Sequence, residues 1–536
     1  MNASGLKTRH PAPAPAGAFG VGTVFSSLAR RPALWLGLGA LAVLGYGYAA
    51  AVPAVGVDDL AIAAYQQGGG FLRQSRVTVW LLQALTGLMA YRPHWPEVFA
   101  ALCLAAAGLL LACLLYAASG RTPTVGGALL AAGGVLLYPW HAEILAYSNQ
   151  CGIGFALLLA VAAAALVRRH LLAGWSAGWP SAAGAVACLT FSLGYYESMA
   201  QVWLTLVCML LLTDAAFAPP RSRRWHWAAA PLVRGLWPLA AALLARKGLT
   251  IALCALTGTT GEDGAAAKTI YWLRRSSVGE ALRIFVREFL SNYLSLPFGV
   301  PALALLVLGC AGLVVWAAVR RRGNGCGVLT AALLATLFAL GVLQGTGSQM
   351  ARTCQCFAVF VPYAAWLLLG SLPRRRIAAV LGAALLAAEC LALNAGFAAD
   401  RDRWRTEQAA LQAVAARLDE MDPGRAVPVA FTGSYTLPEA QQHKLPASNP
   451  AYKVAYLLSV TLGQPMGDLY AYEEVNESVI QWALEAFGGR EQMYLLMEHI
   501  GRPCALPTPD QQAAADAAGL PSGTVTRLND CLVVTF

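Results

Sequence analysis

The chain has 536 residues, 58% hydrophobic and only 12% charged, with a formal net charge of +10 at pH 7. A soluble domain carries about 25% charged residues, so a water-soluble enzyme, a disordered chain and a disulfide-framed secreted module are all excluded. Apolar runs of roughly 15–22 residues separated by short arginine clusters are instead the pattern of membrane-spanning helices.

Residues 1–30 read as a flexible cytoplasmic lead, rich in Pro, Ala and Gly through Ser27 and carrying Lys7, Arg9 and His10. A secretory signal would place its apolar run much nearer the start. After Arg30-Arg31 the first span is predicted over residues 33–52. Further spans are predicted over 98–117, 125–140, 152–167, 182–194, 199–212, 236–256, 300–319, 327–343, 357–369 and 377–398. The result is a polytopic α-helical membrane domain over residues 31–399 with about eleven transmembrane helices. With the N-terminus inside, every second loop holds a basic group: Arg121, Arg168-Arg169, Arg221 with Arg223-Arg224, Arg320-Arg321-Arg322 and Arg374-Arg375-Arg376. Such groups hold loops in the cytoplasm and need no nucleic acid as partner. Residues 77–91 are too few for a crossing and read as a helix lying in the outer interface.

An odd number of spans leaves residues 400–536 outside, as a small C-terminal α/β periplasmic domain. An amphipathic helix is predicted over 400–421, a strand over 426–431, helices near 452–462 and 475–487, and a terminal hairpin from 524–527 and 531–536. Most of the thirteen cysteines lie in apolar runs and act as small apolar side chains. None has zinc-type spacing backed by a second pair. Cys504 and Cys531 in the polar tail are a candidate disulfide if that tail faces an oxidising compartment.

The chemistry is sought in the outer loops. Loop 56–97 opens with Asp58-Asp59 and continues through Tyr65-Gln66-Gln67 and Gly68-Gly69-Gly70 to Arg73 and Arg76. Adjacent carboxylates repel unless a cation, a metal ion or a hydroxyl network compensates; the alternative is that they cap a short helix starting at Leu60. Arg73 and Arg76, at i and i+3, suit phosphate. Arg246-Lys247 inside an apolar run imply a wet cavity or an anionic partner, and Arg352 is a further phosphate candidate. Loop 257–297, with Arg274-Arg275, reads as an amphipathic anchor or lid. His141, Glu143 and the Tyr195-Tyr196-Glu197 corner are expected to be outward loop residues, and Glu389 to be paired within the bundle.

An acid pair just past the first span, followed by Gly70 and by Arg76 opening the stretch Val77-Thr78-Val79-Trp80-Leu81-Leu82-Gln83-Ala84-Leu85, resembles the GT-C glycosyltransferases. More narrowly it resembles the Gtr-type glucosyltransferases that modify bacterial O-antigen. The tail is similar too, with Asn394 closing the last span, Asp400-Arg401-Asp402 opening a helix and Val427-Pro428-Val429-Ala430 a strand. The family commonly has an arginine where this chain has Ala61-Ile62-Ala63, so Arg73 stands in for it.

The resemblance implies a multi-pass enzyme of the bacterial inner membrane. It would move a sugar, glucose by the narrower likeness, from a polyprenyl-phosphate donor to a lipopolysaccharide or other cell-surface glycan in the periplasm. Asp58 is the first choice of general base and Asp59 the second. Arg73, Arg76, Arg246, Lys247 and Arg352 would bind the lipid phosphate; Tyr196, Glu197, Arg274 and Arg275 would serve the acceptor or a lid. A divalent cation, Mg or Mn, is the candidate cofactor at the acid pair. The competing readings are a flippase or transporter, a polymerase of lipid-linked glycans, and a sensor; the absence of visible repeats speaks against transport.

Overall fold

A computed structural model of the protein describes residues 20–56, 59–67, 69–87, 91–173, 178–217, 226–260, 299–320, 324–344, 353–433, 435 and 490–536. Asp58, Arg274, Arg275, Arg352, the helices predicted near 452–462 and 475–487, and most of loop 257–297 lie outside these residues. Within them the protein is a polytopic helical membrane protein. Helix α1 (Val21–Ala29) precedes α2 (Pro32–Ala51), and the loop that follows carries short helices α3 (Ile62–Gln67), α4 (Gly70–Arg73) and α5 (Val77–Thr86). Then come α6 (Trp95–Ser119), α7 (Val125–Leu136), α8 (His141–Ile144), a 3-10 turn at Ser148–Gln150, α9 (Ile153–Ala173), α10 (Trp179–Leu193) and α11 (Met199–Phe217). Helices α12 (His226–Thr257), α13 (Gly299–Arg320), α14 (Asn324–Gln344), α15 (Cys356–Leu369) and α16 (Arg375–Met421) complete the bundle.

Each predicted span therefore contains a helix, the one predicted over 125–140 ending at Leu136. Among the described residues seven helices are long and apolar enough to cross a membrane, whereas Val125–Leu136, Trp179–Leu193, Gly325–Ala339 and Cys356–Leu369 are shorter. At 1.5 Å per residue a 12-residue helix covers only about 18 Å of a hydrocarbon core near 30 Å. Small residues let the helices approach: a Cβ on Gly108 of α6 would stand 2.6 Å from the Ala132 carbonyl oxygen of α7. One apolar core runs through α2, α6, α7, α9, α11 and α15.

Four expectations need correction. The lead is not irregular up to Ser27, because Val24 and Leu28, one turn apart, bury against the bundle core and order α1. The interfacial helix ends at Thr86 rather than reaching residue 91, since Gly87 takes a positive φ of 66° and closes it. The last span and the helix predicted from residue 400 are one 47-residue helix, α16, about 70 Å long at 1.5 Å per residue. Finally, Glu389 is fully buried and neither carboxyl oxygen has a hydrogen-bond partner among the described residues.

The C-terminal strands are β1 (Val429–Thr432), β2 (Thr524–Leu528) and β3 (Cys531–Thr535), with helices α17 (Arg490–His499) and α18 (Pro509–Ala517) in the connection. β3 lies between the other two, parallel to β1 with Val429 opposite Leu532, and antiparallel to β2. The strand and the hairpin lie where they were predicted, within a few residues. Cys504 and Cys531 are not joined, and both thiols are free. Alternation along β3 explains this: Cys531 and Val533 pack toward Ala515 of α18, whereas Cys504 packs with Leu532 and Val534 on the other face.

Candidate active site

The loop after α2 folds back on itself around one carboxylate. Asp59 is 3% exposed, and each of its oxygens accepts a backbone N–H. Oδ2 takes that of Gly56 at 2.8 Å, and Oδ1 takes that of Ser148 at 2.7 Å. The close turn needs a glycine, because a Cβ on Gly56 would lie 2.2 Å from the Ala146 carbonyl oxygen. Asp59 thereby ties the end of α2 to the segment between α8 and α9. Its neighbour Tyr91 donates its backbone N–H to the Asp59 carbonyl at 3.4 Å. Burial first, and then the charges of Asp59 and Glu97, push the Tyr91 hydroxyl up to about 12, so it stays protonated.

Beside this junction lies a cavity of about 370 Å³. One wall comes from the acid-pair loop and its short helices, with Ala61, Ile62, Tyr65, Phe71 and Gln74. The facing wall carries Tyr147, Asn149 and Gln150, and Arg76 and Tyr196 close the site. The Tyr147–Gln150 wall is pinned twice. Ser148 is held by Asp59, and the Tyr195 hydroxyl donates to the Asn149 carbonyl at 2.7 Å while accepting the Gly152 N–H at 2.9 Å. The opposite wall is fixed by Gln66, which donates to the Trp80 carbonyl at 3.1 Å, and by Thr78, whose hydroxyl donates to the Phe191 carbonyl at 2.6 Å.

Arg76 is the one cationic side chain among the described residues lining this cavity. Its guanidinium carbon stands 5.0 Å from the centre of the Tyr196 ring, and its Nε is buried without a hydrogen-bond partner among the described residues. An arginine held by an aromatic face, with a donor unspent, is suited to an anion. The Asn149 amide oxygen is likewise buried with no partner among the described residues, leaving an acceptor for hydroxyl groups.

The structure brings Arg76 and Tyr196 together on the cavity wall, sets Asp59 behind that wall through Ser148, and leaves the other cations apart. Arg246 is occupied by Glu197 at 3.1 Å and by the Leu193 carbonyl at 3.0 Å. Neither it, Lys247 nor Arg73 lines the cavity. His141 and Glu143 are buried rather than outward, because α8 packs against α16. Burial pushes His141 down to about 4, and its Nε2 lies 2.9 Å from the Val135 carbonyl. A neutral ring therefore donates through Nε2. Among the described residues no group of three or more His, Cys, Asp or Glu could hold a metal ion. Tyr147, Asn149 and Gln150 were not singled out in the sequence; the polar run Tyr147-Ser148-Asn149-Gln150 between two apolar stretches was the available signal.

Replacing Asp59 by asparagine should weaken the fold locally. An amide can serve only one of the two backbone N–H groups and points its own N–H₂ at the other. A cost of about 1–3 kcal/mol for the unsatisfied buried donor is expected, read as a lower midpoint of thermal unfolding in detergent. An unchanged midpoint would show that the carboxylate is not the tie.

A family model described as Glucosyl transferase GtrII matches residues 47–369. No curated protein and no solved structure matches the chain.

Proposed function

Because this chain belongs to the Glucosyl transferase GtrII family and is thus a glycosyltransferase, we propose that the cavity beside Asp59 takes the phosphosugar head of a polyprenyl-phosphate-linked glucose. The observation that carries this reading is the buried, unspent donor of Arg76 on the cavity wall. The donor phosphate binds Arg76, and the sugar hydroxyls meet Asn149 and Gln150. The acceptor is a hydroxyl of a cell-surface glycan, such as the O-antigen of lipopolysaccharide. Its oxygen bonds to the anomeric carbon, its proton passes to Asp58, and the bond from that carbon to the phosphate oxygen breaks. The electron pair leaves with the polyprenyl phosphate, whose added charge Arg76 offsets. Asp59, with both oxygens committed to backbone N–H groups, is the positioning member of the pair.

In this reading eleven helices cross the inner membrane with the N-terminus cytoplasmic, which puts the arginine clusters inside. The acid-pair loop, the 400–536 region and the cavity face the periplasm. Nucleotide sugars are absent there, so a lipid-linked donor is the available form. Arg352 and the Arg274-Arg275 pair remain candidates for the lipid phosphate and a lid, and a divalent cation at Asp58 for the acceptor. Mass comparison of surface polysaccharide from cells with and without the gene should differ by one hexose for each modified unit. Identical polysaccharide from a strain shown to express the protein would overturn the proposal.

A further inference from the structure

We propose that Arg401 and Arg403 of the long helix α16 are positioning residues for sugar transfer, holding the acid-pair loop by its carbonyl groups. The proposal rests on the cavity being the transfer site. Helix α2 ends at Ala51, so its last carbonyls lack partners within the helix. Arg401 serves one of these and the carbonyl just beyond the helix, donating through Nη2 to the Ala49 carbonyl at 2.8 Å and through Nε to that of Val52. Arg403 continues the series, donating through Nη2 to the Val55 carbonyl at 2.8 Å. The next residue, Gly56, bonds Asp59, and Asp59 bonds Ser148 in the cavity wall. Hydrogen bonds joined through the Val55–Gly56 peptide thus run from α16 to Ser148, which lies in sequence between the cavity-lining Tyr147 and Asn149.

The guanidinium groups are aimed by acids on all sides. Arg401 meets Glu97 of α6 at 3.0 Å and Asp400 at 2.8 Å, while Arg403 meets Asp400 at 2.9 Å and also pairs with Glu407. Arg401 and Arg403 are 2% and 1% exposed. Buried ion pairs of this kind contribute little net stability compared with apolar side chains, since desolvation offsets their attraction. What they provide is direction: a planar fork fixed by carboxylates presents its remaining N–H groups at set angles. The same stretch is packed from the C-terminal side, where Val55 shares a core with Leu411, Val429, Met497 and Leu532. The strands and helices after residue 421 therefore brace the loop that carries Asp58.

The test uses the full chain in lipid nanodiscs. In Arg403→Lys the ammonium cannot reach Asp400, Glu407 and the Val55 carbonyl together. Amide hydrogen exchange at Gly56 and Ser148 should rise at least about tenfold, with α6 and α9 keeping their protection. Transfer from polyprenyl-phosphate-linked radiolabelled glucose should fall in kcat on the order of tenfold to a hundredfold, as small misplacements do, with the donor KM unchanged. The exposed pair Asp402–Arg405 supplies the control, and Arg405→Gln should move neither readout. Native exchange and kcat in Arg403→Lys would overturn the proposal, as would loss of protection throughout α6 and α9. If that variant does not fold, Glu97→Gln, which removes one acid from Arg401, is measured in the same way against the same outcomes. Wild-type protein that transfers no sugar would refute the assigned function, while the exchange data would still decide the bracing.

Discussion

Asp58→Asn is expected to lower the kcat of glucosyl transfer by about 10²–10⁴, the range for loss of a general base, without weakening donor binding. Asparagine keeps the size of the side chain and removes only its capacity to take the acceptor's proton. The outcome should differ in kind from that of Asp59→Asn. Asp59 spends its oxygens on the N–H groups of Gly56 and Ser148, so its loss appears first in stability. Measuring kcat, donor affinity and unfolding midpoint for both variants separates the roles. Wild-type turnover in Asp58→Asn would exclude it as the base, and the proton would need another acceptor.

The second large effect belongs to Arg76. Arg76→Ala removes the cavity's cation and is expected to reduce kcat/KM by about 10²–10³, or roughly 3–4 kcal/mol, as for removal of one donor from a developing anion. Arg76→Lys should recover part of this, since it restores charge but neither the planar fork nor the stacking over Tyr196. A steady-state comparison of the two variants, with donor concentration varied, distinguishes charge from geometry. Equal kcat/KM in Arg76→Ala and wild type would remove the phosphate from this cavity.

The helices were legible because each apolar run is a local property of a dozen or more residues in lipid, where backbone groups must be satisfied within the segment. Helix α1 escaped notice behind a Pro/Ala/Gly stretch, although Val24 and Leu28 already stood one turn apart. The acid pair and Arg76 were visible as charges in an otherwise charge-poor loop. The backbone ties of Asp59 were not, since neighbouring aspartates look alike until their hydrogen-bond donors are known. The same limit applies to Asp400-Arg401-Asp402-Arg403. As sequence it opens an amphipathic helix, and its partners Glu97, Ala49 and Val52 lie hundreds of residues earlier. The cysteine pairing failed for a related reason: the face of β3 on which Cys531 lies follows from its register, which only the packed sheet shows.

Composition and period alone determined a helical membrane protein with a polar C-terminal region, and the charge pattern located the loop where chemistry was sought. Those features need only nearest neighbours along the chain. The cavity, the backbone ties of Asp59, and the contacts of Arg401 and Arg403 were decided by tertiary structure, because each depends on carbonyl and amide groups brought together from segments far apart. Buried polar groups must find partners wherever the fold puts them, and a linear sequence does not record that meeting.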